Sequence, residues 1–157
     1  MTREQPVGLD GERTPNRPAA NGVLRGLTSH NTTPENLARA AAEAVLCSLA
    51  DAIDYVGEVS GIAARRIVLV GGAAQSAAIR SLAPAIFGLP VTVPDPAEYV
   101  ALGAARQAAW ALAGSPRPPR WPAQPARTYE ADPRSMSVPQ VRARYAALRD
   151  ETASWGA

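Results

Sequence analysis

Apolar positions recur mostly every four residues from Leu37 through Ala41, Val45, Leu49 and Ile53 to Val56. Arg39, Glu43, Asp51, Asp54 and Glu58 fall largely between them. That period puts the apolar set on one face of a helix. Thr33-Pro34-Glu35 marks its start: a hydroxyl to cap, a proline suited to the first helical position, and a carboxylate at the positive end of the dipole. Gly57 and Gly61 mark its end. The period then changes. Arg66 to Val70 is apolar without alternation, which predicts a strand covered on both faces, as in a parallel or mixed sheet flanked by helices. Gly71-Gly72 turn the chain into a helix predicted over about 75–87, with Gly88 as its stop. Pro84 sits inside that helix and should kink it. A short strand is predicted over 89–93, where Pro90 points to an edge or a strand start. A further helix is predicted over about 97–113. Ala104, Ala108 and Ala111 suit it to close packing, and Gly103, which costs about 1 kcal/mol relative to Ala, points to a second backbone close by.

These elements give an α/β fold with a mixed sheet flanked by helices. The chain divides into a disordered start over 1–10, a folded block over 11–114, and a Pro/Arg-rich linker with a short C-terminal helix over 115–157. Pro116, Pro118, Pro119, Pro122 and Pro125 make the linker extended. The terminal helix, Val138 to Ser154, is basic and amphipathic. It reads as a solvated surface helix that docks only where Tyr145, Leu148 and Trp155 find a groove.

Composition narrows the chemistry. All 16 basic residues are Arg, so a Walker-type phosphate loop and a Schiff-base lysine are excluded within these 157 residues. A net charge of +2, with the arginines spread out, gives no footprint for nucleic acid. No apolar run reaches the length of a membrane span, and the first residues lack the apolar stretch of a signal peptide. A cytoplasmic protein is expected. The single Cys47 lies in an apolar helical pattern and reads as a buried thiol.

Few residues look chemical. His30 is the only histidine, in a polar loop without an acidic or Cys cluster. Asp51 and Asp54 read as a solvated helix face, and Glu43 as a structural hydrogen-bonding group. No nucleophile–base pair is apparent, so no catalytic residue and no metal ligand is assigned. The exception is Gly71-Gly72. Glycines between a strand and a helix let backbone N–H groups approach a phosphate at the positive end of the helix. They can equally make a tight turn and nothing more. The pattern is not G-x-G-x-x-G, so a dinucleotide fold lacks its fingerprint.

Three motifs, in order, narrow this choice: GERTPNRP (Gly11 to Pro18), GVLRGL with NLARAAAE (Gly22 to Leu27, Asn36 to Glu43), and VGGAAQS with GLPVTVPDPAEYVALGAA (Val70 to Ser76, Gly88 to Ala105). Together they resemble the carboxyl-terminal lobe of the FGGY carbohydrate kinases, their xylulokinase branch most closely, departing in the second motif at Ala42, where a larger aliphatic residue is usual. The resemblance implies part of an actin/hexokinase-like (ribonuclease H-like) ATPase lobe. It implies ATP with Mg2+ as cofactor, and a pentulose such as D-xylulose as the sugar. Gly71 and Gly72 would approach the nucleotide phosphates and ribose, and Ser76 would lie near the adenine. The helix carrying Gly103 would pack behind the nucleotide, and GERTP would lie near the cleft between lobes.

The family's catalytic Asp, its first phosphate hairpin, its sugar-binding lobe and its Mg2+ ligands match nothing in this sequence. The resemblance therefore implies a carboxyl-terminal fragment, inactive alone and completed by an amino-terminal lobe. The alternative is a non-catalytic nucleotide-binding remnant, or a subunit serving a separately encoded lobe. The oligomeric state is left open.

Overall fold

The structure is a computed structural model that describes residues 10–12, 14–132 and 138–155. The expected disordered start thus lies outside the described residues, except Asp10, which opens a strand. Strands β1 (Asp10–Glu12) and β2 (Arg17–Asn21) form an antiparallel hairpin at the start of the folded block, where no strand is predicted. Gly11 has φ +105°, and a Cβ there would lie 2.9 Å from the Pro18 carbonyl oxygen. Only glycine fits that position.

Helix α1 (Pro34–Ser60) runs as its caps predict. The Thr33 hydroxyl accepts a hydrogen bond from the Asn36 N–H at 3.3 Å, and Gly61 closes the helix at φ 66°. Its buried stripe is Leu46, Cys47 and Ala50, flanked by Ala42 and Ile53. The four-residue series through Val45, Leu49 and Val56 lies beside it, and Leu49 and Val56 are exposed. A step of four residues overshoots a turn by about 40°, so a strict four-residue series winds off the core face.

The main sheet has the order β3 (Ile67–Val68), β4 (Val91–Pro94), β5 (Ala126–Tyr129). β3 and β4 are parallel and β5 is antiparallel, giving the expected mixed sheet. β5 falls within the stretch read as linker. Its proline-rich approach is extended, and Asp95 donates its N–H to Pro125 O at 2.8 Å where β5 joins the sheet. The expected double coverage of the strand at Ile67 fails. Ile67 is buried, but Val68 and Val70 are exposed, because among the described residues helices cover one face only.

Helix α2 (Ala77–Phe87) follows the turn and covers that face. It buries Ile79, Ala83, Pro84 and Ile86 and packs on α1. Pro84 is fully buried in this helix, so its ring serves as core volume. Gly88, at φ 67°, stops the helix. Leu46, Ala83 and Val91 centre the core, each fully buried.

Helix α3 (Tyr99–Ala113) forms as expected but does not dock. None of its residues is buried. A Cβ on Gly103 would meet nothing within 4 Å, so no second backbone approaches it among the described residues.

Helix α4 (Val138–Glu151) does dock: Val141 and Tyr145 pack against the core, so Tyr145 finds the expected groove, and polar contacts fix the helix there. Arg142 binds Asp51 at 2.9 Å and Asp54 at 2.6 Å, and Arg149 also binds Asp51. Tyr145 donates its hydroxyl to Glu12 at 2.7 Å, and Ser48 donates to the same carboxylate at 3.0 Å. Asp51 and Asp54 therefore anchor the tail instead of forming a solvated face. Trp155 remains exposed.

Candidate functional site

The candidate site forms where β3 gives way to α2. The register Ile67 to Val91 and Val68 to Thr92 continues through Leu69, whose N–H donates to Thr92 O at 2.9 Å. Both strands therefore end on the same side, with Gly71-Gly72 beyond β3 and Asp95-Pro96 beyond β4. Ligands of open α/β sheets bind at the carboxyl ends of parallel strands.

The turn is tighter than a plain loop. Gly71 has φ 98° and ψ 179°, a conformation that side-chain-bearing residues rarely adopt. Gly72 to Gln75 then form a single 3-10 turn before α2. The Ala74 N–H donates to Gly71 O at 3.2 Å and the Ser76 N–H to Ala73 O at 3.1 Å. The first N–H groups of a helical segment have no acceptor within it, and at this turn they open to solvent. Gly71, Gly72 and Ala73 are exposed, while Ala74 is buried and pins the turn to the core.

Gly72 differs from Gly71. Its φ carries no left-handed strain, and a Cβ there would meet nothing within 4 Å. Space above the turn, rather than backbone geometry, is what its missing side chain leaves. Ser76 precedes α2 at the capping position, yet its hydroxyl makes no capping bond and is exposed. Gly71, Gly72 and Ser76 thus lie on one continuous, accessible turn, with the room and the donor types that a phosphate-bearing ligand needs.

The other candidates stand apart from this turn. Arg39 donates to Glu43 at 2.7 Å one helical turn away, the structural role expected of Glu43. Cys47 is buried in the core, and burial pushes its thiol up to about 11. His30 lies in an exposed loop. Glu12 of the GERTP segment accepts from Tyr145, and burial together with that carboxylate raises the Tyr145 phenol well above its ordinary value. Among the described residues no three His, Cys, Asp or Glu side chains converge to hold a metal ion.

A feature that the sequence motifs do not announce lies beside the turn. Gln75, Arg80, Val93, Asp95, Arg127 and Tyr129 line a polar pocket of about 240 Å³. The one trace of it in the sequence is Arg80, a single charge in an otherwise apolar helix; Arg127 joins it only because β5 folds back.

Comparison with known proteins gives this geometry a context. The family model of the C-terminal domain of the FGGY family of carbohydrate kinases matches residues 7–112. The xylulose kinase of Streptomyces coelicolor is 42% identical over 106 residues, covering 68% of this chain and 22% of that protein. A glycerol kinase of Citrifermentans bemidjiense is 40% identical over 88 residues, covering 56% of this chain and 18% of that protein. The crystal structure of xylulose kinase from Bifidobacterium adolescentis superposes with a TM-score of 0.69 at 46% identity, covering 92% of this chain and 28% of that one. The chain spans about a quarter of the length of the relatives it matches.

Proposed function

This chain belongs to the FGGY family of carbohydrate kinases, within their C-terminal domain, and from that membership we propose that it supplies one wall of the ATP site of a cytoplasmic xylulokinase-like sugar kinase. The observation that carries the reading is the open glycine turn within a segment 42% identical to a xylulose kinase. Gly71 and Gly72 approach the phosphates and ribose of ATP, and Ser76 lies at the adenine end. ATP supplies the phosphoryl group. The turn offers backbone donors and excludes side-chain bulk, which is positioning rather than bond-making. Mg2+ is commonly held by substrate phosphates with one or two carboxylates, and no step is assigned to it through these residues.

The sugar is D-xylulose or a related pentulose, taken up by a part of the enzyme beyond the matched segment. Similar identity to a glycerol kinase supports that division, because a segment shared by kinases of different acceptors is suited to the common nucleotide. Residues 1–157 by themselves do not turn over, since the resemblance places the base that deprotonates the sugar hydroxyl in another lobe. An amino-terminal lobe covers the exposed apolar residues Val68, Val70, Val100 and Leu112.

The test pairs Gly72→Leu with an assay of nucleotide and turnover. Gly72 tolerates a side chain without backbone strain, so the variant is expected to fold while ATP affinity falls at least ~10-fold, about 1.4 kcal/mol. Unchanged affinity in the folded variant removes the turn from the site. D-xylulose phosphorylation is expected only when an amino-terminal lobe is added; turnover by the 157 residues alone overturns the division of labour.

A further inference from the structure

The polar pocket beside the turn carries two guanidinium groups that make no ion pair among the described residues. Val93 pairs with Arg127 and Val91 with Tyr129 across the antiparallel β4–β5 ladder. Residues opposite one another in a ladder project to the same face, and so do residues two apart on one strand. Val91 and Val93 are buried on the face that α2 covers. Arg127 and Tyr129 therefore lie on that face too, where Arg80 comes down from α2. The Arg80 guanidinium stacks over the Tyr129 ring at 5.7 Å from its centroid. Stacking holds the cation without neutralising it.

Among the described residues neither Arg80 nor Arg127 has an ion-pair partner, a state they share with Arg65, Arg66, Arg106, Arg117, Arg120 and Arg144; what sets Arg80 apart is its partial burial. The Nε of Arg80 is buried with no acceptor. A buried, unsatisfied N–H on a charged group is costly and rare in folded proteins. Among the described residues Asp95 is the only acid lining the pocket, so two cations outnumber one carboxylate. The Gln75 amide adds a neutral donor.

We propose that this pocket is an anion site that takes a phosphate-class oxyanion, held by Arg80 and Arg127. Guanidinium forks match phosphate oxygens in charge and geometry, and an oxyanion supplies the acceptor that the Arg80 Nε lacks. The site adjoins the glycine turn but includes neither glycine. Arg127 and Tyr129 come from β5, outside the residues 7–112 that match the family, and the pocket reaches the turn only at Gln75. It does not depend on the nucleotide reading.

Calorimetric titration of the full chain with inorganic phosphate at low ionic strength tests this. Saturable binding is expected. Arg127→Gln, at an exposed position on β5, is expected to weaken it at least ~10-fold, and Asp95→Asn to tighten it ~3-fold by removing the opposing carboxylate. Arg80→Gln should act as Arg127→Gln does; if it fails to fold for want of the Tyr129 stack, the Arg127 and Asp95 variants still decide. Saturating ADP and Gly72→Leu are both expected to leave phosphate binding intact. Absence of saturable binding, or equal affinity in wild type and Arg127→Gln, overturns the proposal. Loss of phosphate binding with ADP or in Gly72→Leu also overturns it, because the anion then belongs to the nucleotide. Intact phosphate binding in a chain that binds no ADP upholds this site and removes the ATP reading instead.

Discussion

Helices α2 and α3 follow the two parallel strands in the same way, yet one is core and the other is not. α2 lies against α1 and buries Ile79, Ala83, Pro84 and Ile86. α3 follows β4 and buries nothing, with Val100 and Leu112 89% and 91% exposed. Their sequences do not explain this. Both are apolar and rich in Ala, and both end on a left-handed glycine, Gly88 and Gly114. What differs is the neighbour. α1 and α4 supply a layer on one face of the sheet, while Val68 and Val70 leave the other face open. α3 is held by local contacts, Arg106 to Pro119 O at 2.9 Å and Trp110 to Ser115 O at 2.6 Å. An apolar helix is thus a statement about what it can bury, and a second surface decides whether it does.

The largest expected break in this comparison is Leu46→Ala. Leu46 is fully buried where α1 meets the core, so the change should cost about 2–5 kcal/mol in a urea melt. Leu112→Ala on α3 should change stability by less than about 0.5 kcal/mol in the same measurement. Equal costs would erase the distinction between the helices.

Alkaline pH sharpens it next. The Cys47 thiol is pushed up from 9.0 to about 11 by burial. The folded state therefore favours the neutral thiol. That stabilisation is complete below about pH 9 and is lost as pH rises towards 11, by roughly 2 kcal/mol. The raised Tyr145 phenol works in the same direction at still higher pH. Melts across that range should lose stability, and Cys47→Ala, though less stable at neutral pH, should flatten the curve.

A smaller effect is expected from the tail. Asp51→Asn removes the carboxylate shared by Arg142 and Arg149. With all three side chains partly buried, the cost should be about 1–2 kcal/mol, accompanied by faster proteolysis of α4. Tyr145→Phe, which leaves Glu12 with one hydroxyl donor fewer, should cost about 1 kcal/mol or less.

α1 was legible from Thr33, Pro34 and Gly61 because caps are local chemistry, and the glycine turn was legible because strand, turn and helix follow one another without a gap. The exact buried stripe was missed, because four-residue spacing only approximates the helical period. β5 was missed because the prolines before it favour extended chain, and extended chain becomes a strand only when a partner strand is present. The role of Asp51 and Asp54 was missed because Arg142 and Arg149 lie 91 and 98 residues away. The polar pocket escaped for the same reason: Arg80 and Arg127 come together only across the sheet.

The sequence by itself determined the helices α1, α2 and α3 with their caps, the glycine turn and the family, all of which rest on neighbouring residues whose torsions and caps act within a few positions. Tertiary structure alone decided which apolar faces are covered, that the tail closes on α1, and that Arg80 and Arg127 share a pocket. Those outcomes depend on surfaces brought together across the chain, and a surface acquires its meaning only from what packs against it.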